Sequence, residues 1–221
     1  MLAAAVLLSL GTWQVRRLAW KTALIETIVT RTAGPVVSVE QALADPVASD
    51  FRHVSASGRY RHDLAFAMGT AAEHGEVGAR LVTPLVLADG RMVLVERGWL
   101  PERLLPPQTP DALAPPGEVA LDGVARWHGA DAAGPFTPEN RPAQRRWYWY
   151  DLPGLGAVLG QEVAPLVLVL GRPDGTAGLP SPLPVRADLP NNHLGYAITW
   201  YGLAAALVTV YVAFGFKRGG E

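Results

Sequence analysis

The sequence predicts a membrane protein in which two transmembrane helices flank a β-rich extramembrane domain, an antiparallel barrel or sandwich-like fold of α+β class. Three observations predict it. The first is an apolar run at 194–216, LGYAITWYGLAAALVTVYVAFGF, without one charge. As a helix rising about 1.5 Å per residue it is long enough to cross a bilayer. The second is an apolar N-terminal stretch, MLAAAVLLSLGTWQV at 1–15, followed by Arg16 and Arg17. The third is the region between them, where short β-branched and aromatic runs alternate with Gly and Pro.

Residues 1–28 read as the N-terminal transmembrane helix and its interfacial extension. The stretch has no basic n-region, and no A-x-A cleavage site follows it, so it does not read as a signal peptide. Fifteen residues are short for a crossing, and the expectation is a membrane helix whose first turn or two lie before residue 1, with a soluble amphipathic helix as the alternative. Trp13, Arg17, Trp20 and Leu24 share one stripe at helical spacing, and tryptophan with basic residues suits the interfacial belt.

Residues 36–190 read as the β-rich domain. A short helix at 38–44 opens with Ser38 as cap and Gln41 three residues on. Strands are expected at His53–Tyr60, 64–69, 80–87, 92–97, 119–127 and Leu166–Leu170. The 80–87 and 92–97 strands form a hairpin through Asp89-Gly90, which supplies the positive φ angles of a tight turn. Residues 151–160 suggest a weak helix. The 104–117 segment, with Pro106, Pro107, Pro110, Pro115 and Pro116, reads as a loop that cannot join a ladder. In RRWYWYD at 145–151, strand alternation would put Trp147 and Trp149 on one face, with Tyr148 and Tyr150 on the other. These aromatics, with Arg97 and Trp99, form either a core fastened by tryptophan or a docking surface.

Residues 191–216 read as the C-terminal transmembrane helix, capped by Asn191 or Asn192, with a short basic tail at 217–221. His193, Tyr196, Trp200, Leu203 and Leu207 share one stripe. Gly195, Thr199, Gly202 and Ala206 form a second stripe of small residues, on which the N-terminal helix or a membrane subunit of another protein would pack closely. His193 at the helix mouth is either an interfacial residue or an axial ligand to a membrane-soluble haem. A helix N-terminus disfavours the imidazolium and leaves the ring free to bind metal. Flat aromatic neighbours suit a porphyrin, and Arg16, Arg17 and Arg186 suit its propionates.

Composition removes several classes. A net charge of −1 gives no basis for a nucleic-acid partner. The absence of cysteine excludes disulfides and thiol catalysis, and with three methionines no copper site is expected. No G-x-S-x-G elbow, H-E-x-x-H pair or Walker loop occurs, so an enzyme is not expected; a membrane-tethered one would need Asp, His and Ser clustered in a cleft of the domain.

The chain resembles the surfeit locus protein 1 family. The resemblance rests on LGTWQVRR at 10–17 with Trp20 and Lys21, VERGWLP at 95–101, PENRPAQRRWYWYD at 138–151, and NNHL at 191–194 with Tyr196 and TWYG at 199–202. The chain departs from the family pattern at Glu96, where Asn or Gly is more usual. The resemblance implies a bacterial inner-membrane assembly factor of haem-copper cytochrome c oxidase, with a periplasmic domain. It implies that haem a is handled for insertion into subunit I, with haem a synthase as a further partner and the second-helix histidine, here His193, involved. On this view Tyr196, Trp200 and Arg17 line the cofactor site. The alternative is a cofactor-free scaffold that stabilises an oxidase subunit. Charge counting opposes the implied topology, because Arg16, Arg17, Lys21, Arg31 and Arg186 flank the helices on the domain side, against Lys217 and Arg218 on the other.

Overall fold

A computed structural model describes residues 2–174 and 178–218, without the side chains of 215–218. Residues 219–221 of the expected basic tail lie outside the described residues, as do the side chains of Lys217 and Arg218. The chain divides into two compact units, Thr30–Val185, and Met1–Val29 with Arg186–Glu221.

The domain begins with β1 (Val37–Ser38) and α2 (Val39–Ala44), which follow the long first helix α1 (Leu2–Thr32). Ser38 caps α2 as expected: its Oγ accepts from Gln41 N–H at 3.3 Å, and Gln41 Oε1 accepts from Ser38 N–H at 3.2 Å. The strands β2 (His53–Tyr60), β3 (Phe66–Glu73), β4 (Glu76–Leu87), β5 (Met92–Pro101) and β6 (Glu118–Trp127) follow. After them come β7 (Arg146–Trp147), α3 (Leu152–Leu159) and β8 (Leu166–Leu170). The sheet runs β1-β2-β6-β8-β5-β4-β3-β7, and β4 also pairs with β2. That extra pairing closes β2, β6, β8, β5 and β4 into a barrel. β4 serves both partners because it is long, meeting β3 along Phe66↔Val82 to Glu73↔Glu76 and β2 at Leu85, Val86 and Leu87.

The barrel is mixed rather than antiparallel, because β8 lies parallel to β5. A parallel pair needs a long crossover, and everything from β6 to α3 lies within it. The Asp89-Gly90 hairpin forms as expected, but its ladder continues to Gly78↔Pro101. β4 starts early because a second two-residue turn precedes it. His74 (φ 53°) and Gly75 (φ 78°) both take the left-handed conformation that such a hairpin requires.

Val54, Ala56, Leu85, Val93, Val95, Leu166 and Leu168 belong to the barrel core. A second core packs Phe66, Met68, Val82, Leu94 and Val167 with Trp147, Tyr150, Leu155 and Leu159. The 145–151 segment is therefore not one strand. Only Arg146 and Trp147 pair with β3, after which Tyr148 N–H donates to Asn140 Oδ1 at 2.7 Å and the chain leaves the sheet. Trp147 and Tyr150 enter the same core instead of opposite faces.

The other unit contains most of α1, with α4 (His193–Arg218). Among the described residues one helix, at His193–Phe214, is long and apolar enough to cross a membrane, which suggests membrane association. The expectation of two such helices is corrected here: Gln14, Arg16, Arg17 and Lys21 interrupt the apolar run of α1. Along its first 21 residues the buried or half-buried positions are Ala4, Leu7, Leu10, Gly11, Gln14, Leu18 and Lys21. This is close to the alternating three- and four-residue spacing of a helix-packing seam. On α4 the matching positions are His193, Ala197, Trp200 and Ala204. Gly11 receives the Tyr201 ring, whose Cε1 would stand 2.8 Å from an added Cβ, and Thr12 Oγ1 lies 3.0 Å from Tyr201 Oη. The small-residue stripe is not this seam. A Cβ on Gly195 or Gly202 would meet nothing within 4 Å. α1 packs on the face bearing Ala197 and Tyr201, because one glycine opposite one tyrosine already permits the approach.

Candidate functional site

The start of α4 is tied to α1 by three polar side chains. Lys21 Nζ donates to the Pro190 carbonyl, Asn191 Nδ2 donates to Thr22 Oγ1 at 3.4 Å, and Gln14 Oε1 stands 2.7 Å from His193 Nδ1. The Asn191 side chain thus turns to α1 and does not cap α4. Asn192 supplies the carbonyl that accepts Tyr196 N–H at 3.3 Å, the first bond of the helix.

His193 is half-buried, and its Nε2 makes no hydrogen bond among the described residues. A side-chain amide oxygen only accepts, so Nδ1 carries the proton in this arrangement, and in the neutral ring Nε2 keeps its lone pair. Tyr196 is 56% exposed and Trp200 half-buried, at three and seven residues beyond His193 on α4. On α1, Arg17 follows Gln14 by three residues and places its guanidinium carbon 3.9 Å from the Trp20 ring centroid. An imidazole nitrogen without a hydrogen bond among the described residues, two aromatic side chains and an exposed guanidinium are groups that would suit the iron, the ring and a propionate of a haem.

The docking residues expected in the domain are mostly core. Arg97 is 1% exposed, Trp99 4% and Trp147 2%; Trp149 alone is half-buried. Arg97 sits at a bulge between the Leu81↔Gly98 and Val82↔Glu96 pairs. Its Nε donates to Asp174 Oδ2 at 2.7 Å and its Nη2 to the Leu113 carbonyl at 2.6 Å. Tyr60 Oη donates to the same carboxylate at 2.8 Å; burial and that negative charge push the phenol pKa well above its ordinary value. Trp99 Nε1 donates to the Ala71 carbonyl at 3.1 Å. These groups are fastened inward and are not surface anchors.

Glu96, the departure from the family pattern, is buried beside two partners. Arg80 Nε lies 3.1 Å from its Oε1, and Tyr150 Oη donates to Oε2 at 3.3 Å. Burial raises the Glu96 pKa, with Arg80 opposing, and burial also raises that of Tyr150. The His128 ring lies tilted against Tyr150 with ring centroids 4.2 Å apart, and burial lowers its pKa despite Asp131 at 2.7 Å.

The model of the SURF1 family matches residues 1–205, a span that contains both Gln14 and His193. The chain belongs to the SURF1 family. Surfeit locus protein 1 of Homo sapiens is 33% identical over 230 residues, covering 95% of this chain and 74% of that protein. The Xenopus tropicalis protein of the same name is 31% identical over 214 residues, covering 90% of this chain and 68% of that protein. A SURF1-like protein of Monosiga brevicollis is 31% identical over 233 residues, covering 98% of this chain and 85% of that protein.

In this SURF1-family chain, the sequence singles out His193 by its place at a helix mouth and gives no such signal for its neighbour Gln14. The glutamine stood inside LGTWQVRR, but its partner is 179 residues away and only the helix pairing brings them together. Arg16 and Arg17 both stand exposed on α1, and Arg186 forms an ion pair with Asp188 at 2.7 Å.

Proposed function

We propose that this SURF1-family chain is an assembly factor for haem-copper cytochrome c oxidase. It holds haem a transiently and passes it to subunit I, with haem a synthase as the source. The observation that carries this reading is the His193 ring at the mouth of an apolar helix, with Nδ1 engaged by Gln14 and Nε2 without a hydrogen bond among the described residues. Haem, when bound, supplies an iron that accepts a neutral imidazole nitrogen. His193 would provide that nitrogen, Tyr196 and Trp200 apolar faces, and Arg17 a cation for a propionate. Release to a second protein favours one strong ligand and weak further contacts. Transfer requires no bond-making chemistry by side chains, so no catalytic residue is assigned, and a chain without cysteine has no thiolate site for copper. α4 would anchor the chain in a bacterial inner membrane, with the domain in the periplasm.

The test is the reduced spectrum of protein produced together with haem a synthesis. Co-purified haem should fall in His193→Ala; unchanged content would remove His193 from the account. A cofactor-free scaffold is the second reading, favoured by the open face of Gly195 and Gly202. On that reading Gly202→Leu impairs oxidase assembly, and a purified protein that never carries haem remains fully active in it.

A further inference from the structure

We propose that Gln14 is a positioning residue: its side-chain oxygen holds His193 as the Nδ1–H tautomer, so that Nε2 is presented unprotonated for ligation. The 2.7 Å separation of Gln14 Oε1 and His193 Nδ1 is a full hydrogen bond. Which ring nitrogen carries the proton is set by the partner of the other, and loss of a residue that orients a ligating histidine typically costs about 10- to 100-fold in metal affinity. The consequence for haem rests on the function proposed above; the tautomer does not.

The surroundings leave Gln14 little freedom to seek another partner. It is half-buried in the α1 seam, three residues after Gly11, where the Tyr201 ring and the Thr12–Tyr201 hydrogen bond fix the approach of the helices. Seven and eight residues further on, Lys21 and Thr22 hold Pro190 and Asn191 and so prevent α4 from sliding past α1. Ring and amide are fixed from both sides. The opposite amide orientation would donate to Nδ1, place the proton on Nε2 and block ligation until that proton left. The two arrangements therefore make opposite predictions.

The experiment uses the full chain in detergent micelles, without haem, with histidine labelled in both ring nitrogens. Nitrogen NMR should show His193 as Nδ1–H in the wild type. In Gln14→Met, close in shape but without the acceptor, that preference should be lost; Gln14→Glu should restore it. Haem a titrated into the same samples should bind about 10- to 100-fold more weakly to Gln14→Met, with recovery in Gln14→Glu. Nε2–H in the wild type, or an unchanged tautomer in Gln14→Met, overturns the proposal, and the wild-type spectrum decides even if that variant fails to fold. The two levels separate cleanly. Should Gln14→Met bind haem a as the wild type does while His193→Ala does not, positioning fails and the haem reading stands. Should the tautomer follow Gln14 while His193→Ala binds haem a normally, the haem reading fails and the tautomer assignment stands.

Discussion

Arg97→Leu separates the core reading of the arginine–tryptophan segment from the docking reading. In the folded domain the guanidinium is 1% exposed and makes hydrogen bonds at 2.7 Å to Asp174 and 2.6 Å to the Leu113 carbonyl. Among the described residues, leucine would leave the largely buried Asp174 carboxylate with only the Tyr60 hydroxyl, and the Leu113 carbonyl would lose this donor. Removing one member of a buried pair costs about 3–5 kcal/mol, and an unpaired buried carbonyl about 1–3 kcal/mol, with the two overlapping because one side chain serves both. A net loss of about 4 kcal/mol, at roughly 2–4 °C per kcal/mol for a domain of this size, lowers the unfolding midpoint by roughly 8–16 °C. Thermal unfolding of the purified full chain, followed by near-ultraviolet circular dichroism, measures it. Adding Asp174→Leu should recover part of the loss, with a coupling of about 0.5–3 kcal/mol. An unchanged midpoint, accompanied by weaker association with an oxidase subunit, would refute the core assignment and restore Arg97 as a docking residue.

Three further outcomes are expected. Gly11→Val should separate α1 from α4, because even a Cβ would press on the Tyr201 ring, whereas Gly202→Ala enters open space and should be tolerated. The chain has no cysteine, so disulfide formation between Ala4→Cys and Val208→Cys, which line one crevice, reports the pairing directly. Gly58→Ala should destabilise the domain by about 1–3 kcal/mol in urea denaturation, since its methyl would collide with the Val86 carbonyl at the short β2–β4 closure. Acidification should destabilise the domain through His128: burial depresses its folded pKa, so the unfolded ring takes up protons first as pH falls below about 6.5, and the stability is lost down through the folded value. His128→Phe, which keeps a ring against Tyr150, should flatten the midpoint–pH curve between about pH 7 and pH 5; an identical slope would show that other groups govern it.

Much of the domain was legible from local rules. The Ser38/Gln41 box, the Asp89-Gly90 turn and the alternating burial of β2 each follow from a few neighbouring residues. What was not legible depends on distant parts of the chain. β5 is buried at all ten positions because β4 and β8 flank it and cores lie on both its faces, so Arg97 and Trp99 had no exposed side to occupy. The RRWYWYD run alternates like a strand, but Asn140 captures the Tyr148 amide and turns the chain inward. His74 gave no turn signal, since a residue other than Gly, Asn or Asp seldom begins such a hairpin turn. At the candidate site, the histidine stood out by its place at a helix mouth. Its glutamine partner did not, because the partnership exists only in the register of two helices.

That register explains why the two helices of the pair differ so much in apolarity. α4 carries the uninterrupted apolar run, whereas α1 carries Gln14, Lys21 and Thr22, the side chains that hold His193, Pro190 and Asn191. Apolar packing alone discriminates poorly between neighbouring registers, because a shift of one turn presents another row of similar side chains. Hydrogen bonds at the start of α4 discriminate strongly, since a shifted helix would leave half-buried polar groups without partners. Two of the residues that keep α1 below the apolarity of a membrane span, Gln14 and Lys21, are thus among those that determine which face of α4 it meets. Replacing Gln14 and Lys21 with leucine would make α1 more apolar, and by the same change would free α4 to turn and His193 to lose its fixed orientation.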